Sequence, residues 1–292
     1  MDKKISSPFQ LNKLPKNTFE ILVEIPFEEI SKTEKKVLED QAKNIEIKGF
    51  RKGMAPANLV KEALGKEKII RLILEVILPD FFKKAVDQLN LKPIVSPKVE
   101  LLSAADNEAW KVKYVSCEEP EVVLGNYKTS IKKETKSEDK IWTPGDKEET
   151  KPKEDQNAKE KSINKALEWL IKNIKVEISD LLLEDEVARK LSGLLEQTQK
   201  LGLTLDQYLS SLGKTIEKIK EEYKKQAEES LAFEFILGKI AEEEKISVSE
   251  EDLTKALSEA KTEEEKKALE SQKYYIALLL RRQKTLDFLA NL

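Results

Sequence analysis

The chain has 292 residues, 37% charged and 39% hydrophobic, and its 52 basic and 55 acidic residues leave a net charge of −3. That length accommodates two or three domains, and the near balance of charge excludes a global polycation built for nucleic acid. One cysteine, Cys117, excludes a disulfide within the chain, and the absence of histidine removes the commonest general base and the commonest zinc ligand.

High Lys, Glu and Leu with nine glycines predict a mainly helical protein. The opening MDKKISSPFQLNKLP lacks the apolar core of a secretory signal. The most apolar run, IIRLILEVILPDFF, is too short to span a bilayer and carries Arg71, Glu75, Pro79 and Asp80. The expectation is a cytoplasmic protein without a membrane partner. Acidic clusters such as Glu242-Glu243-Glu244 have no glycine-bearing ligand loop and read as a solvated helix face. No metal, cofactor or catalytic residue is expected, and no Gly-rich phosphate loop follows a strand.

In chain order, TFEILVEIP (18–26) alternates and ends at a proline, which predicts a strand. Ser31 with Glu34 forms a capping-box pattern that predicts a helix to about Asn44. KGFRKGMAP (48–56) follows as a loop, Pro56 opens the next helix, and Gly65 closes it. A long helix is predicted from Lys66 to Leu89, with Ile69, Leu72, Ile73, Val76 and Ile77 on one face and a kink at Pro79. KPIVSPKVELL and AWKVKYVSC predict a strand hairpin. Strand, three helices and two strands make an α+β domain over 1–131.

Residues 132–161 are dominated by Lys, Glu and Asp and predict a charged flexible linker, with Ile141-Trp142 as its apolar spot. Residues 162–292 predict an all-helical domain. Ser179 and Ser249 each follow an Ile-x-Val and suit helix caps, and Thr204 with Gln207 forms a capping box after Gly202. Helical spacing places Ile216, Ile219, Tyr223, Ala227, Leu231 and Phe235 on one helix, and Leu269, Ile276, Leu279, Leu286 and Leu289 on the last. Without sustained heptads, these helices predict antiparallel pairs in a bundle.

The loop at 48–56 puts Phe50 between Gly49 and Gly53, beside Arg51 and Lys52. The bland reading is a tight helix connection with solvated cations. The sharper reading is a docking finger with Phe50 as apolar anchor and the cations reaching phosphates or carboxylates. Six basic and two acidic residues between Lys48 and Lys68 give a local balance of +4 that favours a polyanionic partner.

GFRKGMAP (49–56) resembles the ribosome-docking signature of the trigger factor family, bacterial chaperones that meet nascent chains at the ribosomal exit tunnel. The family pattern is Gly-Phe-Arg-x-Gly-x-x-Pro, and Gly49, Phe50, Arg51, Gly53 and Pro56 match it. Lys52 is the usual filler, while Met54 stands where the family often has a lysine. LKPIVSPKVEL, EEPEVVLGNYK and the run from LGLTLDQYL to SVSEEDL are also similar to the family.

The resemblance implies a ribosome-binding α+β domain joined to a helical chaperone domain with helix-pair arms. It also implies an FKBP-like prolyl isomerase domain between them. Here that place is held only by the charged segment, whose Trp142 and Gly145 cannot build a pocket.

The expected function is ATP-independent holding of nascent or unfolded chains, without isomerase catalysis. Gly49, Phe50, Arg51, Lys52, Gly53 and Pro56 would meet the ribosome. Leu203, Tyr208, Leu209, Phe233 and Phe235 would meet clients, although a stripe at helical spacing is more often helix–helix core than a client site. Partners are ribosomal protein and rRNA near the exit, unfolded polypeptides, and a weak homodimer as an open state. Two alternatives stand: a prolyl isomerase by family membership, or a helical ribosome- or RNA-binding scaffold.

Overall fold

A computed structural model describes residues 9–47, 50–136, 151–258 and 272–292. The chain divides into two compact units, Met1–Glu119 with Ser179–Leu182, and Pro120–Ile178 with Leu183–Leu292.

In the first unit, β1 (Phe9–Lys13) and β2 (Thr18–Ile25) form a hairpin whose turn holds Lys16 and Asn17 at φ 58° and 51°. The unit continues with α1 (Phe27–Ala42), α2 (Ala57–Leu64), α3 (Lys66–Leu89), β3 (Lys98–Ser103) and β4 (Trp110–Cys117). The sheet is antiparallel throughout, in the order β1-β2-β4-β3. The 18–26 strand and the strand over AWKVKYVSC fall where predicted, while the strand expected over 92–102 forms only from Lys98. β1 was not foreseen, because five residues carrying two apolar side chains are too short to show a period.

Alternation decides the core face. Phe19, Ile21, Val23 and Ile25 of β2 and Trp110, Val112 and Tyr114 of β4 are buried under Ile30, Val37 and Leu38 of α1 and the stripe of α3. That stripe is Ile69, Ile73, Ile77, Phe81 and Ala85, spaced by four. Val76, expected on it, is 51% exposed: a line spaced by four drifts around the helix, and at the level of Ile77 it has turned about 100° away from Val76. Truncating one of these isoleucines to alanine should cost roughly 2–5 kcal/mol. α3 runs through Pro79 and ends at Asn90, whose left-handed φ of 53° closes the helix. Buried polar groups are satisfied: Tyr114 Oη donates to the Leu78 carbonyl at 3.0 Å and Ser116 Oγ to that of Val95 at 2.9 Å.

α1 corrects the predicted capping box. It begins at Phe27, four residues before Ser31, with extended Pro26 as its cap (φ −61°, ψ 144°). The Pro26 carbonyl accepts from the Glu29 and Ile30 amides, and Glu28 and Glu29 occupy the positive end of the helix dipole. Proline plus acidic residues start the helix before the serine is reached.

The second unit holds α4 (Tyr127–Lys136), α5 (Lys151–Asn173), α6 (Asp180–Lys200) from Leu183 onward, α7 (Leu205–Ser211), α8 (Ile216–Glu243), α9 (Glu250–Ser258) and α10 (Lys273–Ala290). Its main core gathers Ile131, Leu170, Ile174, Ile236, Ile240 and Leu289 from α4, α5, α8 and α10. Leu124 and Tyr127 also lie in this core. Residues 120–131 accordingly group with the second unit. A smaller core joins α6, α7 and the start of α8 through Leu194, Leu209 and Ile219.

The predicted caps are present. Ser179 Oγ accepts from the Leu181 amide at 3.3 Å, and Thr204 and Gln207 exchange both capping-box bonds. Ser249 pairs reciprocally with Asp252. Leu269 lies outside the described residues.

The charged segment needs a correction. Residues 137–150, with Ile141, Trp142 and Gly145, lie outside the described residues. Residues 132–136, however, complete α4, and 151–161 are the first turns of α5. Lysine, glutamate, glutamine and alanine are good helix formers, and α5 buries Ala166 and Leu170 further along, so helix propagates back into the polar stretch.

Candidate functional site

The loop between α1 and α2 is fixed by three features. Ile45, Ile47 and Ala55 are half-buried and pack against the core of the first unit. The Gly53 amide donates to the Ala42 carbonyl at 2.8 Å, satisfying one of the terminal carbonyls of α1. Two tight turns follow, Phe50 N to Ile47 O and Met54 N to Arg51 O, both 3.0 Å. Gly53 has φ 85°, a conformation open to glycine and costly for other residues. Pro56 caps α2 and accepts from the Leu59 and Val60 amides at 3.0 and 3.2 Å.

This scaffold presents its tip to solvent. Phe50 is 43% exposed and Met54 75%. Arg51 is exposed and makes no ion pair among the described residues. Lys52 lies 3.0 Å from Glu46, an exposed pair worth at most about 1 kcal/mol and easily exchanged for a phosphate. Gly49 and Lys48 lie outside the described residues. The fold also shrinks the linear charge count. Lys61 pairs with Glu34 and Lys66 with Asp106, each at 2.6 Å, and both acids come from outside the 48–68 window.

The five client candidates do not form one surface. Leu203 is 39% exposed and Tyr208 half-buried beside the small core. Leu209 is 3% exposed, locked between Leu194 and Ile219, and this corrects its placement as a contact residue: its helical spacing marks core. Phe233 is half-buried against the main core, with the Arg282 guanidinium 5.1 Å over its ring. Phe235 is half-buried on α8. Helical periodicity missed the exposed leucines at the two turns flanking α7, namely Leu201 (67%), Leu203 and Leu212 (51%). Their signal was adjacency to glycine: Gly202 and Gly213 have φ 71° and 63° and end the preceding helices.

Glu244 is not part of a solvated face. It accepts from Tyr127 Oη at 2.8 Å and pairs with Lys128, and these two hydrogen bonds, Lys128 first, hold its carboxyl below the usual range. Among the described residues there is no cluster of metal-ligating side chains, and no helix is long and apolar enough to cross a membrane.

The α+β unit thus carries a fixed basic–aromatic loop, and the helical unit carries exposed apolar turns. The family profile described as "Bacterial trigger factor protein (TF)" matches residues 8–144, and that described as "Bacterial trigger factor protein (TF) C-terminus" matches 147–291. The chain belongs to the trigger factor family. Residues 145 and 146 alone separate the two matches, and no isomerase domain profile matches.

The trigger factor of Carboxydothermus hydrogenoformans is 25% identical over 415 aligned positions, covering 95% of this chain and 97% of that protein. Since this chain has 292 residues, at least 123 of those positions are filled by the relative alone, the size of a domain. The trigger factor of Lactiplantibacillus plantarum is 30% identical over 112 residues, 38% of this chain and 26% of that relative. A solved structure described as "Promiscuous Substrate Recognition in Folding and Assembly Activities of the Trigger Factor Chaperone" superimposes with a TM-score of 0.66 at 19% identity. It covers 97% of this chain and 99% of that chain, and it supports the fold.

Proposed function

We propose that this chain is a cytoplasmic, ATP-independent chaperone that docks on the ribosome through Phe50, Arg51 and Lys52, with Gly49, Gly53 and Pro56 shaping the loop. It holds nascent or unfolded segments on its helical unit and does not catalyse prolyl isomerisation. The observation that carries this reading is the exposed Phe50-Arg51-Lys52 tip on a loop tied down by the Gly53–Ala42 hydrogen bond. A group that must meet one partner in one orientation gains from such preorganisation.

Client contact is assigned to Leu201, Leu203 and Leu212, with Tyr208 and Phe233 at the margin. Several weak apolar contacts on one molecule raise effective concentration without any nucleotide cycle. The breadth of substrate named for the solved trigger factor structure suits such a surface. Residues 132–161 are the junction standing where family members carry the isomerase.

The test is co-sedimentation with ribosomes together with light scattering from several unrelated denatured clients. Binding and suppression are both expected without ATP. Suppression without ribosome binding would remove the docking assignment, and binding without suppression would make the chain a scaffold. A saturable acceleration of X-Pro isomerisation in a test peptide, normally a process of tens to hundreds of seconds, would overturn the non-catalytic reading.

A further inference from the structure

The apolar stripe of α10 is covered along one half only. Toward the C-terminus, Thr285 and Leu289 are buried and Leu286 packs against the main core. At about 100° per residue, Tyr274, Tyr275, Leu278, Leu279 and Arg282 fall on the same face as those three, within an arc of roughly 140°. Yet Tyr274 is 79% exposed, Tyr275 58%, Leu278 46% and Leu279 47%. Ile276 and Leu280, on the opposite side, are half-buried. The N-terminal half of α10 therefore leans on the unit by its back and leaves the stripe open. Single exposed leucines are ordinary, but four large apolar side chains within two turns form a patch.

The charge beside the patch selects what can cover it. From Lys273 to Lys284 the helix carries Lys273, Arg281, Arg282 and Lys284 and no acidic residue, in a chain whose net charge is −3. Lys284 is taken by Asp252. Arg281 Nε donates to the Ile246 carbonyl at 3.1 Å, and the Arg282 guanidinium lies 5.1 Å over the Phe233 ring. Each contact holds a guanidinium in place and leaves further N–H donors open. Among the described residues, Lys273, Arg281 and Arg282 make no ion pair. An extended segment that seats apolar side chains on the tyrosines and leucines runs past these guanidinium groups. A carboxylate in that segment gains charge-assisted hydrogen bonds there, and an ammonium meets like charge.

We propose, on the reading that the helical unit holds unfolded segments, that the open half of α10 is a charge-selective client site. Its ligand class is unfolded polypeptide whose apolar or aromatic side chains are flanked by aspartate or glutamate. Tyr274, Tyr275, Leu278 and Leu279 supply the contact area, and Arg281 and Arg282 read the flanking charge.

The test uses two unstructured, dye-labelled peptides of equal length and identical apolar residues, one flanked by Asp and Glu and the other by Lys. Each is titrated with the full chain and read by fluorescence anisotropy. The acidic peptide should bind about tenfold more tightly at low salt, and added salt should shrink the preference. The overall negative charge of the chain favours the basic peptide, so a preference for the acidic one comes from local cations. Arg282→Glu sets a carboxylate beside Arg281 and should remove the preference, while Arg282→Lys should keep most of it. Tyr274→Ser combined with Tyr275→Ser should weaken both peptides several-fold. Arg282 and both tyrosines are exposed, and circular dichroism with the thermal midpoint controls for folding. Equal binding of the two peptides, tighter binding of the basic one, a preference that survives R282E, or undiminished binding by the folded tyrosine variant would overturn the assignment. So would co-sedimentation with phosphatidylglycerol vesicles without binding of either peptide, which would make this face a lipid contact. Suppression of client aggregation is read on the same samples. If it persists while the peptides fail, only this site is lost; if it is absent, the holding function falls as well.

Discussion

Phe50 stands 43% exposed on a loop held by a backbone hydrogen bond, two turns and three half-buried apolar residues, whereas Leu201, Leu203 and Leu212 stand 39–67% exposed on turns closed by glycines. Both regions leave apolar groups in water, which costs stability, but they concentrate it differently. The loop offers one aromatic with cations beside it, a pattern that fits a single charged partner. The helical turns offer several aliphatic side chains with no fixed polar partner, a pattern that fits many partners weakly. A buried anchor with neighbouring charges gives orientation; scattered leucines give contact without orientation.

The sharpest way to break that contrast is to remove the tip. Replacing Phe50, Arg51 and Lys52 together with alanine should abolish ribosome co-sedimentation while circular dichroism is unchanged. A well-seated anchor is worth roughly 2 kcal/mol or more on truncation, so losing three such groups takes binding below detection. In the natural chain, log affinity should fall with log salt by about 0.7–0.9 per phosphate contacted. Undiminished binding by the folded triple variant would end the docking assignment.

A subtler change tests whether fixation itself matters. Gly53→Val leaves every contacting side chain in place but forces a β-branched residue to φ 85°, a strain of roughly 1–3 kcal/mol. No atom lies within 4 Å of a Cβ built there, so the effect comes from backbone conformation alone. The loop relieves that strain by leaving its docking geometry, so ribosome affinity should fall about tenfold while the thermal midpoint of the first unit falls by no more than a few degrees. Equal loss of both would mean that Gly53 serves folding rather than docking.

The legibility of the two regions in the sequence differed for the same physical reason. The loop was readable because its residues are locally improbable, an aromatic between glycines and cations, and a local anomaly needs no tertiary knowledge. What holds it was not readable: the Gly53–Ala42 bond spans eleven positions, and Ile45 and Ile47 look like part of an ordinary polar stretch. On the helices, spacing marked Leu209 correctly as a face residue but could not say which face, and the structure makes it core. Strand β2 was legible from alternation and β4 from its apolar run, β3 was expected six residues too early, and β1 was too short. The start of α1 was misplaced because a serine capping pattern lost to a proline. The polar opening of α5 reads as linker because composition alone does not reveal the apolar half into which it continues.

On the helical side of the comparison, Leu201→Ser, Leu203→Ser and Leu212→Ser combined should weaken suppression of client aggregation several-fold and leave ribosome binding intact. Loss of about 25 cal/mol for each Å² of apolar contact accounts for a partial rather than total effect. If the same triple change reduced ribosome binding instead, the division of labour between the two regions would be wrong.

The smallest expected effect concerns how α9 is tied to α10. Asp252 sits in the first turn of α9, where its carboxylate accepts from Lys284 Nζ on α10 and from the Ser249 hydroxyl and amide. These bonds, Lys284 foremost and then Ser249, hold its pKa well below the ordinary carboxylate range. A carboxyl depressed in the folded state contributes stability that is full above its unfolded value, about 4, and is lost as pH falls through the folded one. The link between α9 and α10 should therefore be intact at neutral pH and released only in strong acid, below the titration of ordinary carboxylates. Because the group is only partly buried and its partners lie on α10 and in the first turn of α9, the expected change is local. Amide exchange in α9 should rise at low pH before the main core of α5, α8 and α10 opens, and Asp252→Asn should bring that exchange to neutral pH. The ion pair should weaken with salt, but the capping bonds from Ser249 should not, so added salt should reproduce only part of the effect. Exchange in α9 that ignores both the substitution and the acid range would mean that packing, not this carboxylate, fixes the helix.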